Sequence, residues 1–466
     1  MNQLTMKHKF GYGLGDAGGC MTFALMGSTF AMYCTDALGV KPELLAVLLL
    51  VWNVWDFIND PLMGALMDKS FARNRNPKGK FRPWLLRATP LVCVTFIALW
   101  ILPSLFDGLA MICVLFGLKI LYEASYTMFN IPMGSLLSAM ADTDQERASL
   151  SSARGIGSAV GNMVPMMLMP LLLKKFGETS AAGYAIGAAA CALIGLAMCY
   201  GHYALTEERN LKAAEFDSES EIGDGASDIK LTDILHVFRV NRPFLALCVH
   251  GVFICMMQYV NNTLNNYMYS DVLGDISLVT YGVIVSSPFM LIIFVFGPKL
   301  AKSFGLECII RYGLLSGSLL YITLFAAHML TDVNPWVHMI WSNVAMGLAS
   351  ISIYMQWGLV GESIDYNEMI TGKRTEGSIY GTFNLSRRVG QTIGNSAAML
   401  MLGWVGYSGE LAVQSAGTII GIKALCVLLP GIFVLGSWAA FRFLWDLSDE
   451  TRIEMTAFKA AGKERQ

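Results

Sequence analysis

Charged side chains are scarce in this chain: Asp, Glu, Lys and Arg make up 15% of 466 residues, where a soluble globular protein runs near a quarter. Too little polar surface is left to cover a body in water. With 55% apolar residues and a mean hydropathy of +0.51, the chain belongs in a membrane. No sign of charge dominates either: 33 basic against 35 acidic residues give a net charge of −2, so no global field recruits nucleic acid. Metal-ligand spacing is missing. The ten cysteines (20, 34, 93, 113, 191, 199, 248, 255, 308 and 426) are scattered along apolar runs with no C-x-x-C pair and no His at ligand spacing, which reads them as small buried hydrophobes. No H-E-x-x-H, G-x-S-x-G or Walker sequence occurs, so neither an enzyme nor a resident cofactor is expected. A membrane-embedded sensor would bring a long soluble signalling domain, where this chain has a short linker and a 20-residue tail. Met1 to Phe10 run into an apolar stretch with no small-residue cleavage site, so the first helix is expected to stay in the mature protein.

What is abundant is apolar sequence of spanning length. A crossing helix needs about 20 mainly apolar residues, and candidates lie near 12–35, 44–68, 84–105, 109–140, 150–173, 181–204, 243–269, 277–298, 307–329, 335–361, 377–405 and 418–445. Gly at 45 of 466 fits close helix packing in a bundle. The longest polar interruption, 206–242, is charged and rich in small residues and divides the spans six plus six. The reading is therefore an all-α integral membrane protein of twelve transmembrane helices in two six-helix bundles, 1–205 and 243–446, with the linker 206–242 and a tail 447–466. Lys69, Arg73, Arg75, Lys78, Lys80 and Arg82 crowd the loop after the second span, while loops near 270–276, 330–334 and 406–412 hold no basic residue. Both termini and the linker are thus expected on the cytoplasmic side, with Lys174 and Lys175 dissenting. Two such halves with a cytoplasmic hinge are the plan of a major facilitator transporter, whose substrate sits between the halves.

The chemistry concentrates where the lipid should forbid it. Between Leu44 and Met67 only Asp56 and Asp60 are ionisable, four residues apart on one helix face with Asn59 beside them. A carboxylate in mid-membrane costs about 2.5–3.5 kcal/mol even on the lenient insertion scale. A bound monovalent cation, a shared proton, or a fixed bridge to an intramembrane Arg or Lys would each relieve that cost. The fourth span adds Lys119 and Glu123, one turn apart and able to neutralise each other, then Tyr126, Thr127 and Asn130 before Pro132. Arg154 lies one turn into the fifth span, and Arg387 and Arg388 stand together in the eleventh, one facing the cavity and the other reaching the interface. Asp16 sits among Gly11, Gly13, Gly15, Gly18 and Gly19. The polar run from Gln258 to Tyr267 lines the outward end of the pathway or makes loop contacts.

At Trp55-Asp56-Phe57-Ile58-Asn59-Asp60-Pro61 the sequence resembles the glycoside-pentoside-hexuronide:cation symporter family of melibiose carrier-like proteins within the major facilitator superfamily. The likeness continues through Tyr33-Cys34-Thr35-Asp36, Lys78-Gly79-Lys80-Phe81-Arg82-Pro83-Trp84, Tyr126-Thr127 with Asn130-Ile131-Pro132, Glu146-Arg147-Ala148 and Asp365-Tyr366-Asn367-Glu368, followed by Thr371-Gly372-Lys373-Arg374-Thr375-Glu376-Gly377. The resemblance implies a sugar symporter in a cell membrane, a bacterial inner membrane, working as a monomer with Na⁺, Li⁺ or H⁺ as coupling cation. It implies a cation site of Asp56, Asn59, Asp60 and Thr127. The sugar site departs from the melibiose pattern: Gly19-Cys20 replace a Lys-Asp pair, Asn130 an Asp and Gly134 a Trp, whereas Arg154 is kept and Arg388 matches a Lys. The substrate-site candidates are then Asp16, Cys20, Tyr126, Asn130, Arg154, Arg387 and Arg388, and an acidic sugar is favoured over a neutral one because guanidinium grips carboxylate or sulfonate bidentately. Arg82, Arg147, Asp365, Glu368, Arg374 and Glu376 are expected to form a cytoplasmic gate of salt bridges between the halves.

Overall fold

The computed structural model describes residues 4–73, 79, 81–141, 144–209, 241–371, 376–411 and 413–463. Among them the structure is helical with no strand, as an apolar chain must be where lipid offers backbone groups no partner. Helices lie over each candidate span: α1 (Met6–Ser28), α2 (Pro42–Arg73), α3 (Arg82–Ile101), α4 (Gly108–Met140), α5 (Asp144–Phe176), α6 (Ala181–Leu205), α7 (Arg242–Tyr267), α8 (Leu278–Phe304), α9 (Leu306–Leu330), α10 (Pro335–Thr371), α11 (Glu376–Trp404) and α12 (Ala416–Phe443). A tail helix, α13 (Asp449–Lys463), follows. Eight of the described helices are long and apolar enough to cross a membrane. Single π-turns at Tyr33–Ala37, Met268–Val272 and Ala424–Leu428 follow α1, follow α7 and interrupt α12.

The chain forms two compact units. The first takes in 1–224 with two short segments from later in the chain, 269–280 and 402–415; the second takes in 225–268, 281–401 and 416–466. In the first unit α1 packs on α5 and α6, and α3 on α4 and α6. Glycines make the α1 contacts possible: a Cβ on Gly157 would run into the Gly13 carbonyl, and one on Gly161 into the Ala17 carbonyl. Without side chains between them the backbones close up, and dispersion between bare helix surfaces replaces the hydrophobic drive that lipid removes. In the second unit α9 packs on α10 and α12, and α7 on α12 and α10.

The segments 269–280 and 402–415 are tied to the first unit by polar contacts. Lys174 Nζ binds Asp275 at 2.9 and 3.0 Å and Ser277 Oγ at 3.0 Å, and Tyr407 donates to Asp36 at 2.9 Å. Lys174, one of the two lysines outside the expected loop pattern, is thus paired with a carboxylate.

Candidate functional site

Asn59 of α2 is 1% exposed. Its amide nitrogen donates to Thr127 Oγ1 at 2.8 Å and to the Glu123 carbonyl at 3.5 Å, so α2 and α4 are joined by uncharged oxygens one turn from Asp56. Such a donor set would suit a hard monovalent cation: the Asn59 side-chain carbonyl and the Thr127 hydroxyl are buried oxygens, and the half-buried Asp56 carboxylate lies one turn earlier on α2. The Asp60 side chain lies outside the described residues, and among those described no group of three or more His, Cys, Asp or Glu is placed to hold a metal ion. Lys119 is the nearby positive charge. It is buried, it is paired with Glu123 one turn along α4, and Asp56 acts on it electrostatically. The i, i+4 pair read from the sequence thus forms, and it stands next to the cation candidates.

A second cluster joins α1, α4 and α5. Arg154 Nε donates to Asp16 Oδ1 at 3.0 Å, while 39% of the Arg154 side chain stays open. Cys20 lies 3.3 Å from Ser158 Oγ and 4.0 Å from Asp16 Oδ2, and Asn162 donates to the Ser158 carbonyl at 2.8 Å. Tyr126 stacks on Phe23 with ring centroids 5.5 Å apart, Asn130 is exposed, and a Cβ on Gly134 would meet Arg154 at 3.8 Å. Five of the substrate candidates therefore share one neighbourhood, a polar wall beside an aromatic face, which is how a hydroxylated ring is commonly gripped. Pro132 sits within α4 and leaves the Met128 carbonyl without its helical donor. Ser158 and Asn162 belong to this wall but were not picked out from the sequence; their i, i+4 spacing after Arg154 was the available signal.

In the second unit Arg387 of α11 lies 5.3 Å over the Trp357 ring of α10 and beside the Cys255 thiol of α7. Its Nε is buried and has no hydrogen-bond partner among the described residues. Arg388 is exposed and acts electrostatically on Tyr259. The neighbourhoods of Arg154 and Arg387 are built alike. Arg154-Gly155-Ile156-Gly157-Ser158-Ala159-Val160-Gly161-Asn162 and Arg387-Arg388-Val389-Gly390-Gln391-Thr392-Ile393-Gly394-Asn395 share the pattern R-x-[IV]-G-x-x-[VI]-G-N. Gly157 and Gly161 press on Gly13 and Ala17 of α1; Gly390 and Gly394 press on Val252 and Met256 of α7. The fifth helix of each half thus docks on the first helix of that half through equivalent glycines, the signature of an internal repeat. By the same register Asp16 corresponds to Cys255. One arginine of the repeat faces a carboxylate and the other a thiol.

Arg82 at the start of α3 donates to the Tyr203 carbonyl at 2.8 Å and lies 4.4 Å over the Tyr203 ring, and Glu208 accepts from the backbone amides of Phe81 and Arg82 at 2.7 and 2.8 Å. Arg147 is exposed, while Asp365 and Glu368 are half-buried and engaged. Arg374 and the side chain of Glu376 lie outside the described residues. Beside Arg147, Glu146 pairs with Arg209 at 3.5 Å and accepts from the Leu4 amide at 3.3 Å.

The family profile of the MFS/sugar transport proteins matches residues 11–448. The chain belongs to this family. The motif resemblance holds, and the protein is a transporter rather than an enzyme. Among its relatives, the uncharacterized symporter YjmB of Bacillus subtilis (strain 168) is 28% identical over 97% of this chain and 95% of its own. A glucuronide carrier protein homolog of Escherichia coli (strain K12) is 28% identical over 95% and 92%, and a putative 2,3-dihydroxypropane-1-sulfonate exporter of Salmonella typhimurium (strain LT2) is 26% identical over 97% and 95%. The crystal structure of a D-xylose-proton symporter superposes with a TM-score of 0.64 at 14% identity, covering 96% of this chain and 98% of that one, so the MFS fold extends over the length of the protein.

Proposed function

We propose that this MFS sugar transporter is a cation-coupled symporter of a glycoside or hexuronide-like sugar that carries an acidic group. The observation that carries the reading is the unequal repeat. Asp16 offsets the charge of Arg154, whereas the equivalent Arg387 faces Cys255 and a tryptophan ring and keeps a buried Nε–H with no hydrogen-bond partner among the described residues. A desolvated guanidinium without a carboxylate is costly until an anion supplies one, and a carboxylate or sulfonate fits its two parallel N–H groups. Two of the relatives named above are, by their names, proteins of a glucuronide and a sulfonate, which agrees with that chemistry.

Asp56, Asn59, Asp60 and Thr127 hold the cation in this reading. Cation binding offsets the charge on α2, ties α2 to α4 and so steadies Tyr126 and Asn130, the residue before Thr127 and the third residue after it on α4. Coupling of this kind is reciprocal, so the sugar also tightens the cation. One net charge crossing 100 mV gains about 2.3 kcal/mol, enough for roughly 40-fold accumulation. A monoanionic sugar with one cation is electroneutral and is driven by the cation gradient alone.

The test is uptake into proteoliposomes under imposed Na⁺, Li⁺ or H⁺ gradients, with a glucuronide and the matching neutral glycoside. The glucuronide is expected to be taken up preferentially, and Arg387→Gln to remove that preference by raising KM for the anion while leaving the neutral sugar nearly unchanged. Uptake of the neutral glycoside alone would refute the acidic preference. Exchange without cation-driven accumulation would favour an exchanger or exporter.

A further inference from the structure

A cavity of about 410 Å³ opens in the second unit between the start of α9, the end of α12 and the tail helix α13, within the size range of small-ligand sites. Among the described residues its charged lining is Arg311 of α9, Arg442 of α12, Arg452 of α13 and one acid, Glu307. Glu307 is engaged by Arg311 at 2.8 Å and by Arg452 at 3.6 Å, and Arg452 also reaches Glu362 at 3.3 Å. Arg442 has no carboxylate partner among the described residues; its guanidinium carbon lies 5.9 Å over the neighbouring Phe443 ring. We propose that this cavity binds the phosphate headgroup of an anionic phospholipid.

Three features favour a lipid as the source of that phosphate. The rim is aromatic and open: Phe304 is 65% exposed and Tyr312 70%, and both line the cavity. Phe443 beside it is 73% exposed. Trp438 stands T-shaped to Phe443 at 6.2 Å, and Trp and Tyr of this kind sit at headgroup depth. The amide end of the 25-residue helix α9 begins at Gly305 in the same lining, adding the positive end of a helix dipole to the arginines. Finally, the site is at the end of the bundle that carries the tail, which the loop charges assign to the cytoplasm, and basic pockets between helices on that side bind anionic headgroups. An acyl chain leaving the cavity past Tyr312 and Phe443 would continue along exposed apolar helix surface such as Leu319, 52% exposed. A bound headgroup would tie Arg442 of α12 to the Arg452–Glu307 link between α13 and α9.

The experiment uses the full-length protein stripped of lipid in a neutral detergent, then given phosphatidylglycerol, phosphatidylcholine or inorganic phosphate. Native mass spectrometry reads the retained lipid, and maleimide labelling of Cys308, a half-buried thiol in the cavity lining, reads occupancy by peptide mapping without any substitution. Phosphatidylglycerol is expected to be retained and to slow Cys308 labelling, with little effect from phosphatidylcholine or phosphate. Arg442→Gln should lower phosphatidylglycerol retention about fivefold, the worth of one arginine near an anionic headgroup, and Arg442→Lys should keep most of it. Equal protection by phosphatidylcholine, equal protection by inorganic phosphate alone, or unchanged labelling with phosphatidylglycerol in the wild-type protein would overturn the proposal. So would unchanged retention in Arg442→Gln.

Discussion

Lys119 is the charge that bears most directly on the proposed cation site, because its ammonium is buried, feels Asp56 electrostatically and is held by Glu123. With Glu123 in place the lysine charge is matched on its own helix and Asp56 is left to the α2 site. Glu123→Gln leaves the lysine charge buried with Asp56 as its remaining acid, so it should raise the cation concentration for half-maximal uptake. It should also cost about 3–5 kcal/mol in unfolding, the usual penalty for removing one partner of a buried pair. Replacing both members, Lys119→Met with Glu123→Leu, should recover most of that stability and return the cation dependence; titration of cation-driven uptake and thermal melting check both. The sequence announced Asp56, Asn59, Lys119 and Glu123 because a charge or amide in an apolar run is conspicuous. It was silent on Arg154 finding Asp16, since those residues are 138 apart and only a folded pairing of α1 with α5 brings them together. Ser158 and Asn162 carry only the weak signal of their i, i+4 spacing after Arg154, because hydroxyls and amides are ordinary on membrane helices and stand out once a neighbour is seen.

Helix pairs rest on a few bare backbone contacts. Gly13 and Gly157 give α1 and α5 a shared surface with no side chain between them, and Gly390 with Val252 does the same for α11 and α7. Gly157→Ala and Gly390→Ala should each destabilise by about 1–3 kcal/mol, the cost of forcing a methyl into a packed interior. Each should also displace the arginine one turn earlier, so that Gly157→Ala disturbs the Arg154–Asp16 bond and Gly390→Ala weakens anion affinity. Melting temperature and KM for an acidic sugar, measured on the two variants, separate these effects. The glycines of α1 read correctly as packing residues, but their partners did not, because small residues mark a contact face without naming what meets it. The repeat around Arg154 and Arg387 was present in the sequence as R-x-[IV]-G-x-x-[VI]-G-N and becomes persuasive once both copies are seen docking on the first helix of their halves.

The molecule as a whole adds a feature that no motif carried, the docking of 269–280 and 402–415 on the first unit. Asp36, just past the first span, receives hydrogen bonds from Thr35 at 2.6 Å and from Tyr407 at 2.9 Å. Burial, with Asp271 and Glu178 nearby, pushes its carboxyl up to about 7. An acid whose folded pKa is raised above the ordinary 3.8 holds its proton in the native state while the unfolded chain has lost it, so stability falls as pH rises from about 4 to 7 and levels off above. Melting temperature between pH 5 and 8 should therefore decline in the wild-type protein, and Asp36→Asn should flatten that slope. An unchanged slope would show that Asp36 is not the group responsible.

The transport cycle itself is tested by concentrative uptake into proteoliposomes with an inward Na⁺, Li⁺ or H⁺ gradient, comparing the wild-type protein with Asp56→Asn. The account predicts that the wild-type protein accumulates an acidic sugar against its gradient with one of these cations, and that Asp56→Asn abolishes accumulation while sugar exchange across the membrane persists. Undiminished cation-driven accumulation by Asp56→Asn would contradict it.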